Sequence, residues 1–246
     1  VLLALLPIIN IVISAFLKSN GPVLVAELTF DNFNKVWRLA DGPLKNTLLF
    51  TTIATIMCAV MGTMIAYIIA RRPSRISTLL DTAVMFSYAV PGIVLGVGLV
   101  IPYHNPPLAL TGTPLILILA YFIRRLPFSV RSSVSALQQL SKDTEEASIN
   151  LGAGPGMTFL KITVPLLSMA ILSGALLTWS NTIRELSATL VLQSGRTTTV
   201  SVEIFNEVAN GNFGTASALG MTLIVLTFLP LVLLFTFMGK NEEALV

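Results

Sequence analysis

Few side chains in this sequence belong to the types that carry catalytic or metal chemistry, and they are not clustered. The chain has one histidine, His104, and one cysteine, Cys58. A zinc site needs three or four His, Cys or carboxylate ligands, and a catalytic triad needs a histidine beside a nucleophile and an acid. His104 has no cysteine or acidic neighbour, and Cys58 lies within an apolar run. We therefore expect no catalytic residue, no metal site and no cofactor in this chain.

Nucleotide chemistry is not expected from this chain either. The sequence lacks the pattern G-x-x-x-x-G-K-[ST], whose backbone amides and lysine hold the phosphates of ATP. The chain is therefore not expected to be an enzyme. If ATP drives its function, a separate ATPase subunit must supply the hydrolysis.

Two short strings remain as candidates for a transport pathway or gate. Arg184 and Glu185 adjoin the end of a long apolar segment, where an unpaired charge would be costly to bury. They are interpreted either as pathway-lining residues or as a pair whose long side chains reach the membrane interface. Pro91 and Gly92 interrupt another apolar segment, where proline frees a backbone carbonyl and glycine permits bending.

The composition around these residues is that of an integral membrane protein. Hydrophobic residues make up 54% of the chain and charged residues only 11%, whereas a soluble domain carries about 25% charged residues. The mean hydropathy is +0.84. The net charge of +3 does not indicate a nucleic-acid partner, because the basic residues lie beside apolar segments. Membrane lipid is the expected surrounding, and nucleic acid is not an expected partner.

Apolar segments recur along the chain and predict an all-α, polytopic membrane protein with six transmembrane helices. A spanning helix needs about 20 residues. The predicted spans are 1–17, 48–70, 82–103, 114–123 with its apolar flanks, 162–183 and 216–238. The first is expected to be the remainder of a helix whose beginning is missing, and Arg124 with Arg125 is expected to end the fourth. Residues 1–246 are interpreted as a single transmembrane domain.

The longest polar interruption in the second half of the chain predicts two short helices joined by a sharp turn. It covers residues 141–165, SKDTEEASINLGAGPGMTFLKITVP. Ser141 or Asp143 can cap the first helix, and Asp143 with Glu146 forms a variant of the capping box. Gly152 suits the left-handed position that ends this helix, and Pro155 suits the first turn of the second. A projection of this kind is expected to fit a groove on another protein.

Part of this stretch resembles the EAA loop of binding-protein-dependent ABC importer permeases. That pattern is Glu-Ala-Ala, a glycine four residues later and an Ile-x-Leu-Pro close. The chain has Glu146-Ala147-Ser148, Gly152 and Ile162-Thr163-Val164-Pro165, so Ser148 replaces the second Ala and Val164 the Leu. The resemblance implies that the following residues couple the chain to an ATPase: Glu146, Ala147, Ser148, Gly152, Ile162 and Pro165.

The resemblance also implies a fold, partners and a location. The fold is that of a type I ABC importer permease, whose cytoplasmic helix-turn-helix coupling loop would be residues 141–165. The implied partners are cytoplasmic ABC ATPase subunits, a periplasmic solute-binding protein and a second permease half, present as a homodimer, heterodimer or fusion. The implied location is the bacterial inner membrane, with the chain as a multi-pass protein forming half of the substrate pathway.

The distribution of basic residues supports a cytoplasmic position for the coupling loop and for both termini. With this orientation, nine Lys and Arg residues lie on the cytoplasmic side and five outside, in agreement with the positive-inside rule. The nine are Arg71, Arg72, Arg75, Arg124, Arg125, Arg131, Lys142, Lys161 and Lys240.

The expected substrate is ferric iron, because the strings 90–96 and 184–190 look most like those of ferric-iron permeases. Permeases for polyamine, phosphonate, thiamine and sulfate or molybdate share the same general features and stay as alternatives. A secondary transporter is a further alternative, but it needs polar or charged residues near mid-membrane. Five of the six predicted spans have no charged residue at their centres.

Overall fold

The computed structural model describes the backbone of residues 2–243, and the side chains of this range apart from residues 2, 4, 20 and 233–243. Val1, the side chains of the sixth predicted span beyond residue 232, and the Lys240 side chain lie outside the described part. The helices are α1 (Leu2–Phe16), α2 (Asp31–Leu39), α3 (Asp41–Arg71), α4 (Arg75–Ala89), α5 (Gly92–Tyr103), α6 (Pro114–Gln139), α7 (Asp143–Asn150), α8 (Pro155–Thr158), α9 (Val164–Leu166), α10 (Ser168–Thr182), α11 (Ser187–Leu192), α12 (Val200–Ala209) and α13 (Phe213–Glu243).

A short antiparallel ribbon, β1 (Leu17–Asn20) and β2 (Val23–Leu28), begins at the end of the first predicted span, where the sequence predicts no strand. Gly21 has φ +61° at the first position of the two-residue turn, which a primed hairpin turn requires. Lys18 Nζ donates a hydrogen bond to Glu27 Oε2 across the ribbon at 2.9 Å, and this bond raises the pKa of Lys18. The rest of the described fold is helical with irregular connections.

The chain divides into two compact units: Val1–Thr51, Gly92–Ile118 and Ile183–Val246 form the first, and Thr52–Pro91 with Leu119–Thr182 forms the second. The prediction of one transmembrane domain stays a prediction. In the first unit, α13 packs against α1, α2 and α12, and α5 packs against α11. The Asn46 side chain donates to the carbonyls of Arg196 and Thr198 at 3.0 and 2.9 Å, which fixes the segment before α12 on the start of α3.

In the second unit, small residues bring α3, α6 and α10 close together. A Cβ at Gly62 of α3 would lie 2.7 Å from the Ser129 Cβ, and one at Gly174 of α10 would lie 3.0 Å from the Ser132 Cβ. The Ser132 hydroxyl donates to the Ala170 carbonyl at 2.6 Å. Close backbone approach with hydrogen bonds between helices is the usual way in which membrane helices associate.

Among the described residues, two helices are each long and apolar enough to cross a membrane: α3, and α13 over Phe213–Val232. Two helix pairs also qualify when each is taken as one bent span: α4 with α5, and Pro155–Leu166 with α10, the latter bent by 71°. The break between α4 and α5 falls at Val90 and Pro91, as the sequence predicts. The count of six spans stays a prediction.

The fourth predicted span differs from the helix that the structure contains. Arg124 and Arg125 were expected to end it, but α6 continues through both of them to Gln139. Arginine is a good helix former, so a change from apolar to basic residues does not by itself end a helix.

Candidate coupling site

The loop over residues 141–165 folds as two short helices with a sharp turn between them. Gly152 follows α7 with φ +91°, the left-handed conformation that the sequence predicts. Pro155 begins α8 after Gly154, also as predicted. The chain then forms a π-helical turn, Phe159–Thr163, before α9.

The predicted capping box at the start of α7 is not formed, so this prediction is wrong. Lys142 precedes the helix with helical angles, φ −71° and ψ −21°, and its side chain makes no cap. Asp143 therefore lies inside the first turn, where it cannot take the extended conformation of an N-cap residue. The Ser141 hydroxyl instead accepts the Asp143 backbone N–H at 3.1 Å and donates to the Asp143 Oδ2 at 2.7 Å.

The side chain that anchors the loop is Glu145. Its Oε1 accepts hydrogen bonds from Arg71 Nε and Thr163 Oγ1, both at 3.2 Å, and its Oε2 accepts one from the Tyr67 hydroxyl at 3.4 Å. Arg71 also donates through Nη2 to the Leu140 carbonyl at 3.1 Å. The side chains of Arg71 and Glu145 are only 8% and 13% exposed. One nearly buried ion pair thus joins α7 to α3, to the end of α6 and to the π-helical turn.

Sequence reasoning missed Glu145 because the family pattern names only the second of the two adjacent glutamates. The available signal was a glutamate pair, Glu145-Glu146, together with an arginine at the end of a predicted span. Arg71 and Glu145 are 74 residues apart, so no local sequence pattern could indicate that they pair.

Two further contacts stabilise the loop: one lies within it, and one joins it to α3. The Ser148 and Thr158 hydroxyls lie 3.0 Å apart, and both side chains are buried. The rings of Tyr67 and Phe159 pack edge to face with centroids 5.0 Å apart. Ser148 was predicted as a coupling residue, and its buried hydroxyl places it inside the loop, where it joins α7 to α8.

The remaining predicted coupling residues lie at or near the surface. Glu146, Ala147, Gly152 and Pro165 are exposed, and Ile162 is half-buried. Among the described residues, Glu146 forms no ion pair or side-chain hydrogen bond. The outward face also carries apolar side chains that contact little else: Leu151 is 89% exposed and Met157 is 53% exposed.

Within the first unit, the helix that begins at Gly92 packs against the helix that follows Arg184 and Glu185, whereas Pro91 belongs to the second unit. Gly92 is buried at the start of α5, which packs against α11. Glu185 is 5% exposed, and its Oε1 accepts the Ala188 backbone N–H at 3.3 Å at the start of α11. Arg184 is exposed, and Pro91 lies between α4 and α5. A Cβ at Gly96 would lie 2.9 Å from the Val191 Cβ, so a glycine is required for this close packing.

The other candidate residues occupy separate places. The Cys58 side chain is buried in the core of the second unit, with its Sγ 3.5 Å from the Phe122 carbonyl oxygen. His104 is exposed after α5. No group of three His, Cys, Asp or Glu residues in the described part of the chain is arranged to hold a metal ion.

Comparison with known proteins identifies the family. Residues 59–241 match the family described as binding-protein-dependent transport system inner membrane component, and the chain belongs to this family. It is 34% identical over 203 residues to the ferric transport system permease protein FbpB of Actinobacillus pleuropneumoniae, a match covering 80% of this chain and 30% of that protein. The chain thus spans about three-tenths of the length of this relative.

A second relative matches over a larger share of its own length. The chain is 26% identical over 225 residues to a putative 2-aminoethylphosphonate transport system permease protein, PhnV, of Salmonella typhimurium. That match covers 91% of this chain and 85% of the relative.

Solved structures confirm the predicted permease fold. A bacterial ABC transporter involved in the import of the acidic polysaccharide alginate contains a chain that matches with a TM-score of 0.71 at 16% identity, covering 97% of this chain and 91% of that one. The MetNI methionine ABC transporter matches with a TM-score of 0.64 at 20% identity, covering 87% and 98%. At these identities the likeness shows the fold alone.

Replacing Glu145 by Gln is expected to destabilise the protein, because it leaves the nearly buried Arg71 charge without its partner. Removing one member of a buried ion pair costs about 3–5 kcal/mol. The neighbouring variant Glu146→Gln is the matched control, and an exposed substitution changes stability by only about 0.5 kcal/mol. Thermal unfolding of the detergent-solubilised protein measures both variants. Equal melting temperatures for the two would contradict the anchoring role of Glu145.

Proposed function

We propose that this chain is one permease half of an ATP-driven importer in the bacterial inner membrane, with ferric iron as its substrate. The proposal rests on the different positions of the residues in the 141–165 loop, some of which fix the loop while others face outward. Glu145 fixes the loop to α3, while Glu146, Ala147, Leu151 and Met157 face outward. An anchored projection with an acidic and apolar outer face is suited to transmit force from a partner.

The proposed partners are two cytoplasmic ABC ATPases, a periplasmic solute-binding protein and a second permease half. The second half is another copy of this chain, a different chain or a further part of the same polypeptide. In this arrangement each ATPase holds one coupling loop. Closure of the ATPases on ATP draws the two loops together, and the helices rock as rigid bodies to change which side of the membrane the pathway faces.

Force applied to the loop has two routes into the helices of the second unit. The first is the ion pair between Glu145 and Arg71, which leads into α3. The second is the backbone through the π-helical turn into α9 and α10. Both routes are short and hydrogen-bonded, so displacement of the loop moves these helices with it.

Ferric iron is favoured over the alternatives by the level of identity to relatives named as ferric permeases. Two such proteins, from Actinobacillus pleuropneumoniae and Haemophilus influenzae, are each 34% identical to this chain. The phosphonate relative is 26% identical but aligns over most of its own length. A 2-aminoethylphosphonate importer is therefore the second candidate.

The substrate assignment is tested by uptake in cells that lack the chain. Deletion is expected to abolish binding-protein-dependent accumulation of radioactive ferric iron, and the plasmid-borne gene is expected to restore it. Uptake of 2-aminoethylphosphonate is measured in the same strains. Unchanged iron uptake together with loss of phosphonate uptake would replace the first candidate by the second.

Glu146 is expected to contribute through its charge at the interface with the ATPase. Truncating one partner of a desolvated interfacial charge pair costs about 2–5 kcal/mol. The variants Glu146→Gln and Glu146→Ala are both expected to lose substrate-stimulated ATP hydrolysis in the reconstituted complex. Asp143→Asn is the control, because Asp143 is also exposed in the first turn of α7 but lies outside the EAA pattern. Wild-type stimulation in Glu146→Gln would show that the charge has no coupling role.

Gly152 is expected to matter for docking because its backbone conformation favours glycine. No atom would touch a Cβ at Gly152, so the cost of Gly152→Val comes from the left-handed angles, about 1–2 kcal/mol. The expected result is normal membrane insertion with weakened binding of the ATPase, measured by co-purification. Gly154→Ala is the control, since Gly154 has φ −68° and equal space. Wild-type binding in Gly152→Val would refute the proposed role of the turn.

A further inference from the structure

An apolar groove runs along one face of α3 beside the π-helical turn. It consists of two adjoining cavities of about 260 Å³ each, which share Met64 and Phe159. The first extends toward the middle of α3 at Ala59 and is also lined by Leu160. The second extends toward the end of α3 and finishes at Arg72. All the residues that line it belong to the second unit.

The walls of this groove leave large apolar side chains uncovered. Leu160 is 66% exposed, Val60 is 56% exposed and Met64 is 49% exposed. Exposing apolar surface to water costs about 25 cal/mol per Å², whereas contact with hydrocarbon carries no such cost. The chemistry of the walls therefore fits a hydrocarbon chain.

The end of the groove carries a positive charge that no carboxylate in the described part of the chain neutralises. Arg71 is paired with Glu145, whereas its neighbour Arg72 is exposed and forms no ion pair among the described residues. A guanidinium group presents several N–H donors in a planar fork that matches the oxygens of a phosphate. An apolar groove that ends at such a group is complementary to a phospholipid, which has apolar acyl chains and an anionic phosphate.

The length of the groove agrees with one leaflet of a bilayer. Ala59 lies on α3 and Arg72 directly follows its last residue, so their separation of thirteen residues corresponds to about 20 Å at about 1.5 Å per residue. Half of the hydrocarbon core is about 15 Å thick, so a groove of this length reaches from mid-membrane to the headgroups. With the orientation that the basic residues support, Arg72 lies at the cytoplasmic headgroups.

We propose that this groove binds an anionic phospholipid of the cytoplasmic leaflet, with an acyl chain beside Ala59, Met64 and Leu160 and its phosphate on Arg72. The leaflet assignment rests on the orientation in the proposed function. A lipid bound here contacts Phe159 and Leu160 in the π-helical turn, so it lies against the segment that connects the coupling loop to α10. It would thereby brace that segment against α3.

The test measures lipids that stay bound to the purified full chain. The protein is taken from vesicles containing equal amounts of phosphatidylglycerol and phosphatidylcholine, and the retained lipids are counted by native mass spectrometry. The wild type is expected to retain phosphatidylglycerol preferentially. Arg72→Gln is expected to lower that preference about tenfold, the size of a lost hydrogen bond to a charged group. Met64→Trp fills both cavities and is expected to reduce retention of either lipid.

Two variants serve as matched controls. Arg75→Gln removes an exposed arginine three residues away, and Met61→Trp enlarges an exposed methionine on the same helix, but neither residue lines the groove. Both are expected to retain lipid as the wild type does. Wild-type lipid retention and preference in Arg72→Gln and Met64→Trp would overturn the proposal.

A second permease half is the competing occupant of the groove. Leu160→Cys in a Cys58→Ala background tests it, because a disulfide between two copies would show that protein covers the groove and would overturn the lipid site. These measurements need neither ATPase nor transport. A negative lipid result would therefore contradict only the lipid site and not the proposed import function. Failure of iron uptake would contradict only the proposed substrate and not the lipid site.

Discussion

The loop over residues 141–165 depends on one ion pair, Glu145 with Arg71. The helix α7 has eight residues, and isolated helices shorter than about 12–15 residues are marginal in water. Its stability must come from contacts with the rest of the second unit. Burying two charges is costly unless the remaining donors and acceptors are satisfied. Here the carboxylate accepts three hydrogen bonds, and Arg71 gives a further one to the Leu140 carbonyl, so the pair can stay buried.

The geometry of a helix explains why adjacent glutamates take opposite roles. Successive residues of an α-helix point about 100° apart, since 3.6 residues make one turn. Once Glu145 faces α3, Glu146 must face away from it, and Ser148, three residues on, returns to the inner face. The exposures follow this order: Glu145 and Ser148 lie inward, while Glu146 and Ala147 are exposed. The inner anchor thus determines which residues of the EAA pattern a partner can reach.

Features that depend on local chemistry could be predicted from the sequence, and features that depend on distant contacts could not. The left-handed Gly152, the start of α8 at Pro155 and the break at Pro91 each follow from one residue's backbone preference. The family also followed from residues within a single loop. The Glu145–Arg71 pair joins residues far apart in the chain, and only the fold brings them together. The ribbon at Gly21 did have a local signal, a glycine at the first turn position followed by the apolar strand Val23–Leu28, but the short segment between two predicted spans is not interpreted as a hairpin from the sequence.

Pro165, the last residue of the EAA pattern, determines how the loop connects to α10. Pro165 has no N–H to donate, and in a regular helix its ring would clash with the carbonyl of residue 161. The chain meets this constraint with the wider π-helical turn, in which the Val164 N–H bonds to the Phe159 carbonyl. The helical hydrogen bonds then resume, from the Leu167 N–H to Thr163 and from the Ile171 N–H to Leu167, at 3.0 and 2.9 Å. The 71° bend therefore has backbone hydrogen bonds on both sides, and it buries Leu167 completely. In the proposed function, this hydrogen-bonded bend carries displacement of the coupling loop into α10.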